Sequence, residues 1–451
     1  MTIINKKISL AFAYISVIII FPTMLFGRSF IGLQYGGIRL GELIIFGGFF
    51  ISIIFFIYSF VNPKFFYKEI LLSRIHQLFI FLFILSVFIN RTLVTSPYTY
   101  KVSSYIWTVG FIFLGKLVAE NVIINKKIII LLITALPLNY LFSTGRYPNI
   151  IMGFFREYSD KFQFLKGSDI LLTYLIAIIL SYILFDSQKI KFLFLFFSSG
   201  LMIPLLLFLS RGAFLPAFIF FVFEIIYFRK FILNNLTYSL LITLLTIPIF
   251  LGSTLNVYGN LTFTKVAESI QVEEDNIVVD SLTSLITDKN THTVFLSFYI
   301  QDGRLTSQDI TTRWRLDIWQ DVIEDMVQDD IVIKGYGYNE IIPAMIDPNK
   351  PGRTGRDGKN ENLHNYFLNV FARGGIGQLF LYLSFFYLII RHLDRNVQNY
   401  RITSFIFGAL ITSSFDPAME GVQFPLIFYF FLGYLISMNL NHSSNEFKYQ
   451  S

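Results

Sequence analysis

The chain has 451 residues, of which 54% are hydrophobic, 18% aromatic and only 15% charged, with a mean hydropathy of +0.60. Soluble domains carry roughly 25% charged residues, so this composition excludes a soluble globular protein and predicts an all-α integral membrane protein. No cysteine occurs, which removes disulfides, Fe–S clusters, thiolate zinc sites and cysteine nucleophiles, and the net charge of +6 sits in short loops beside apolar runs, a pattern of topology and not of nucleic-acid binding.

Apolar stretches near the ~20 residues that cross a bilayer predict about twelve spans. The first nine are residues 8–26, 40–61, 75–94, 103–119, 128–142, 170–185, 192–209, 213–228 and 236–257. The last three are 365–390, 402–415 and 423–440. The first span follows Lys6 and Lys7 without a small-residue cleavage site and reads as a retained helix. Four regions follow: spans one to nine within 1–257, a long polar segment at 258–364, three spans within 365–440, and a tail at 441–451. In the polar segment Trp314, Ile318, Val322 and Met326 recur every fourth residue, which predicts an amphipathic helix near 310–328. A connection far above about 15 residues is functional or disordered, and the helical period favours function.

Alternate loops differ in basic residues. One side collects sixteen Lys and Arg and the short loops opposite hold nine, which by the positive-inside rule puts both termini in the cytoplasm and the polar segment on the outer face.

Several residues could carry chemistry. Arg315 borders the apolar stripe of its helix and can aim a five-donor fork at an anion; the plainer reading is an arginine snorkelling from an interfacial helix. Ser210-Arg211-Gly212 makes a hinge between two spans, with Pro216 in the first turn of the second, so Arg211 lies at the membrane boundary, as part of a polar cavity or as a headgroup anchor. His364 and Asn365 stand where the polar segment enters a span. A helix N-terminus disfavours imidazolium, so His364 suits a hydrogen-bond acceptor or general base; as an alternative it caps the helix. Gly374, Gly375 and Gly377 permit close helix contact or a break. Asp416, Pro417 and Glu420 read as a solvated turn, or less simply as part of a polar cavity. Arg146 and Arg156, in the 143–167 loop, add positive potential near the membrane. Glu273, Glu274 and Asp275 form a solvated acidic patch. Asp329 and Asp330 have no paired histidine, so a metal site has little support, and the absence of a Walker loop, dinucleotide fingerprint or HExxH helix disfavours nucleotide hydrolysis and zinc chemistry.

Taken together, Ser210-Arg211-Gly212-Ala213, Arg315-Leu316-Asp317-Ile318-Trp319 followed by Gly335-Tyr336-Gly337, and His364-Asn365 before a Gly-rich span start resemble the bacterial O-antigen ligase and O-antigen polymerase superfamily. The resemblance covers roughly residues 192–390. The family's usual Gly-x-x-Gly is displaced: its expected spacing reaches Gly375, but Gln378 stands three further on, while Gly374 and Gly377 form such a pair one residue early. The resemblance implies a metal-independent, cofactor-free inverting glycosyltransferase of the bacterial inner membrane. Its donor would be a glycan on undecaprenyl pyrophosphate, and its acceptor lipid A-core (ligase) or a second lipid-linked repeat unit (polymerase). A chain-length regulator and a flippase are implied partners. Arg211 and Arg315 would stabilise the leaving pyrophosphate, His364 would take the acceptor hydroxyl's proton or orient that hydroxyl, and Arg313, Asn365, Arg146 and Arg156 are further substrate-contact candidates. A reading from another class is a polysaccharide or anion transporter; internal symmetry would favour it, and none is visible in the sequence.

Overall fold

The computed structural model describes residues 6–62, 70–92, 96–121, 126–160, 162–163, 165–258, 298–350, 353–354, 361–393, 399–416 and 418–446. The acidic run Glu273, Glu274 and Asp275, Pro417, and residues 447–451 of the tail lie outside these.

In chain order the helices are α1 (Lys6–Phe26), α2 (Arg28–Ile31), α3 (Leu40–Val61), α4 (Ile70–Ile89), α5 (Pro97–Val102), α6 (Ser104–Trp107), α7 (Phe111–Asn121), α8 (Lys126–Ser143) and α9 (Asn149–Tyr158). They continue as α10 (Gly167–Leu184), α11 (Gln188–Leu209), α12 (Arg211–Asn234), α13 (Leu236–Tyr258), α14 (Ile310–Gln328), α15 (Tyr366–Leu393), α16 (Asn399–Phe415) and α17 (Gln423–Glu446). Two short antiparallel hairpins, β1 (Gln34–Tyr35) with β2 (Ile38–Arg39) and β3 (Phe298–Gln301) with β4 (Arg304–Ser307), are the strands among the described residues. Within those residues each expected apolar stretch lies mainly in helix, the 75–94 stretch leaving it after Ile89. Among the described residues seven helices, α3, α8, α10, α11, α12, α13 and α15, are long and apolar enough to cross a membrane. Tyr14–Phe26, Arg74–Ile89, Ser104–Ala119 and Gln423–Met438 are shorter apolar helices. The 402–415 stretch falls in α16, which is in neither group.

Burial sorts these helices. α10 is hidden along almost its whole length and packs against α8, α11, α12, α16 and α17. By contrast α3 and α13 show most of their apolar side chains outward, a surface far beyond what a soluble monomer exposes and one that a lipid phase would cover.

Two features depart from the sequence reading. The 143–167 connection, expected as a loop, contains α9, because Met152 and Phe155 fall on one face and bury against Tyr147 and Phe26. Pro216 stands in the second turn of α12, not the first, since the helix already begins at Arg211 and only Ser210 between α11 and α12 is extended.

The connections that carry polar residues gather at one end of the bundle. Arg39 pairs with Asp160 at 2.6 Å, Lys101 with Glu361 at 2.6 Å, and Asn339 Nδ2 donates to the Asn90 carbonyl at 2.9 Å. The polar segment thus has a floor made of other loops. It also has a core of its own. Ile318, Val322 and Met326 of α14 are fully buried against Ile342, Met345, Leu363 and Ala372, each such side chain contributing roughly 1.5–3 kcal/mol on burial. Asp321, on the same helix, is buried: Arg304 of β4, Lys350 and Arg353 all converge on its carboxylate.

Candidate active site

α14 starts where Asp309, its N-cap, accepts the Thr312 amide at 2.9 Å. Its apolar stripe fixes the helix on the core of the polar segment, which leaves Arg315 pointing at the end of α16. There Arg315 Nη1 donates to the Phe415 carbonyl at 2.7 Å, while its Nε is buried without a partner. The same end of α16 receives the hinge. Thr412 Oγ1 donates to the Gly212 carbonyl at 2.7 Å, and a Cβ on Gly212 would lie 2.7 Å from Phe415 Cβ. Glycine is required there by proximity, and its absence of a side chain is what lets the turn bearing Arg211 reach the residue that Arg315 touches.

His364 completes the group. The Trp314 ring packs edge-on to its imidazole at 5.1 Å, and Trp319 Nε1 donates to the Leu363 carbonyl at 2.6 Å, so two residues of α14 brace the histidine and its neighbour. Its backbone is left-handed, with φ of 54°, a conformation that a non-glycine residue keeps only where its surroundings impose it. Burial, and after it the Arg315 charge, lower the imidazole pKa to about 4. The histidine is therefore neutral at neutral pH, as expected, though for a different reason. It does not cap α15; Asn365 does, its Oδ1 accepting the Leu368 amide at 3.1 Å.

Asp416 belongs to this site and not to a solvated turn. Ser168 Oγ donates to its Oδ2 at 2.9 Å, and its charge acts on both His364 and Arg315. Two cations that sequence reasoning missed also face the histidine: Lys166, whose pKa is lowered by burial and then by Arg28, and Arg28 itself, which donates to Gln163 Oε1 at 3.3 Å. The available signal was positional, since both directly flank predicted spans. Arg313 is exposed and donates through Nε to the Ser307 carbonyl at 2.8 Å. Arg156 is exposed and lies over the Phe162 ring at 5.6 Å, and Arg146 is exposed after α8. Among the described residues no group of three or more His, Asp and Glu is placed to hold a metal ion.

Residues 201–383 match the family model described as O-antigen ligase. This segment belongs to the O-antigen ligase family. Comparison with curated proteins gives no match. The O-antigen ligase segment holds Arg211, Arg315 and His364, whereas Arg28, Lys166 and Asp416 come from outside it. Its glycine motifs interlock. The amides of Tyr336, Gly337 and Ile376 donate to the carbonyls of Ala372, Arg373 and Val332 at 2.8, 3.0 and 2.9 Å, so the Gly335-Tyr336-Gly337 turn is laced into α15. α15 is broken there at Gly375, with φ of 72°, and a Cβ on Gly375 would stand 1.9 Å from the Ile333 carbonyl oxygen. The displaced glycine register is thus a helix break, which answers the choice left open by the sequence. The match of this segment supports a ligase- or polymerase-like role in polysaccharide biosynthesis, on lipid-linked glycans in general, and the apolar helices indicate a multi-pass membrane protein.

Proposed function

We propose that this protein transfers a glycan from undecaprenyl pyrophosphate to an acceptor hydroxyl at the outer face of the bacterial inner membrane, through twelve crossings with both termini cytoplasmic. The observation that carries this reading is the meeting of Arg315, the Arg211 turn and the neighbourhood of His364 at Phe415 and Asp416. In the transfer, the neutral imidazole takes the acceptor hydroxyl's proton. The resulting oxygen attacks the anomeric carbon from the face opposite the pyrophosphate, the sugar–phosphate C–O bond breaks, and configuration inverts. Negative charge grows on the departing pyrophosphate, and arginines already in place stabilise it most in a site sheltered from water. Arg211 and Arg315 fill that role, with Arg313, Asn365, Arg146 and Arg156 as outer substrate contacts. A chain-length regulator and a flippase would serve the same lipid-linked substrate.

The test is incubation of the purified protein with a defined undecaprenyl-pyrophosphate oligosaccharide, with and without lipid A-core. A ladder of products without core identifies a polymerase and a single core adduct a ligase. No glycan product in either tube, from protein that is folded, overturns the reading. Orientation is checked separately by reporters active only outside the cytoplasm: a fusion at Gly303 is expected to be active and one at Asn234 silent, and the reverse pattern moves the site to the wrong side for this donor.

A further inference from the structure

Beside the His364 group lies a cavity of about 870 Å³ bounded by α3, α5, α6, the start of α15 and the 420–423 turn, a size in the roughly 300–1,000 Å³ range of small-molecule sites. Its cations are largely engaged from within: Arg39 pairs with Glu42 and Asp160, Lys101 with Glu361, Arg373 donates to the Gly337 and Glu340 carbonyls and to Tyr98 Oη, and Arg28, which stands between this cavity and His364, donates to Gln163 Oε1 at 3.3 Å. A polyanion would find these forks already engaged. What the wall leaves without partners is a set of hydrogen-bonding atoms. Both carboxylate oxygens of Glu420, Oε1 of Gln423 and Nε of Arg373 are buried with no partner, although such atoms are nearly always satisfied in folded proteins. Tyr100, Phe49 and Tyr105 supply aromatic wall on the same cavity. Interleaved aromatic faces and unpaired hydrogen-bonding groups suit a neutral, hydroxyl-rich ring, which has apolar CH faces and a rim of donors.

We propose that this cavity is a subsite for an uncharged part of the glycan, separate from the anion-binding group around His364, and that Glu420 takes hydrogen bonds from the sugar's hydroxyls. This deepens the transfer reading and rests on it for the glycan's presence. Groups facing Glu420 are Arg373 and Tyr366 of α15, Asp416 of its own turn, Arg28 of α2, Lys101 and Tyr98 of α5, and Lys166 just before α10. In the empty cavity burial, opposed by Arg373 and reinforced by Asp416, pushes the Glu420 carboxyl up to about 8. Hydroxyl donors favour its ionised form, so sugar affinity rises as pH rises toward and past that value.

The experiment measures binding and not turnover. Full-length protein in nanodiscs is titrated with the free repeat-unit oligosaccharide, lacking lipid and phosphate, and separately with inorganic pyrophosphate. The oligosaccharide is expected to bind, to be indifferent to pyrophosphate, and to gain roughly tenfold or more in affinity between pH 6.5 and 8.5. Glu420→Gln, which keeps the shape, is expected to weaken binding at least tenfold and to flatten the pH response, while Arg315→Lys leaves it unchanged. Should Glu420→Gln fail to fold, slowing of Lys101 acylation by the oligosaccharide in the wild-type protein tests the same site. Competition by pyrophosphate, equal binding by Glu420→Gln, a flat pH response in the wild type, or absence of protection overturns the proposal. Loss of transfer with binding intact would instead count against the catalytic reading alone.

Discussion

At one end of the bundle, Glu224 of α12 is wholly buried, yet it accepts Tyr182 Oη at 2.9 Å and Tyr400 Oη at 3.0 Å and meets Arg401 Nε at 3.5 Å. The Arg401 guanidinium lies over the rings of Tyr182 at 4.0 Å and Tyr227 at 4.4 Å. At the other end, Arg315 keeps an unpartnered Nε, Glu420 has two unpartnered oxygens, and His364 is held in a left-handed backbone. Both regions bury charge, but only one closes its hydrogen bonds. A satisfied buried pair fixes helix positions, whereas unsatisfied groups are retained where something else will meet them. The difference separates residues whose loss costs stability from residues whose loss costs chemistry.

The sharpest way to break that division is His364→Ala. General-base assistance is worth roughly 100- to 10,000-fold, so transfer is expected to fall by that much with the thermal unfolding midpoint unchanged; an active variant, or one inactive only because it unfolds, removes His364 from the chemistry. Next come Arg211→Lys and Arg315→Lys, which keep the charge and lose the fork. Each is expected to slow transfer by about 100-fold, the scale of one donor lost from a developing anion, measured at saturating donor. Full activity in both variants would return these arginines to snorkelling and anchoring.

For the closed end, Arg401→Ala leaves Glu224 buried and unpaired, and a destabilisation of about 3–5 kcal/mol is expected with turnover per folded molecule intact. Activity lost at constant stability would invert the comparison. Gly375→Ala should cost about 1–3 kcal/mol for the backbone conformation alone, and more from the clash with Ile333, seen as a lower unfolding midpoint.

The smallest effect concerns pH. Because the His364 pKa is lowered from 6.5 to about 4, the free base persists until pH falls through about 4, so transfer should hold nearly level from pH 7 to pH 5.5 as far as this group decides it. Stability moves oppositely to that of a salt-bridged histidine: the unfolded chain takes the proton first, so the folded state loses ground as pH drops from about 6.5 toward 4. An acid limb of turnover at 6.5 that disappears in His364→Gln would show an unburied histidine.

Much of this architecture was readable because hydrophobic runs and the α14 stripe are local signals, and because Arg211, Arg315 and His364 sit in short motifs whose order carries the resemblance. Their meeting point was not readable. Phe415 and Asp416 belong to a turn after the weakest apolar stretch, and nothing in their neighbours distinguishes a solvated aspartate from one that faces Ser168 and His364. Arg28 and Lys166 were invisible for a related reason: a cation flanking a span contributes to the topology count whether it faces water or a buried cavity. The break at Gly375 was anticipated only as an option, since its cause is the Val332–Gly337 segment far back in the chain.

That lacing has a kinetic meaning. Backbone hydrogen bonds from residues 332–337 to residues 372–376 close the intervening chain into a ring, and His364 rides on it. Ring closure removes conformational freedom before any substrate arrives, so under the proposed transfer the imidazole would be presented at high effective molarity and not searched for by a swinging arm. Changes in length before Phe298 leave the ring whole, while changes inside it alter its circumference and with it where His364 stands.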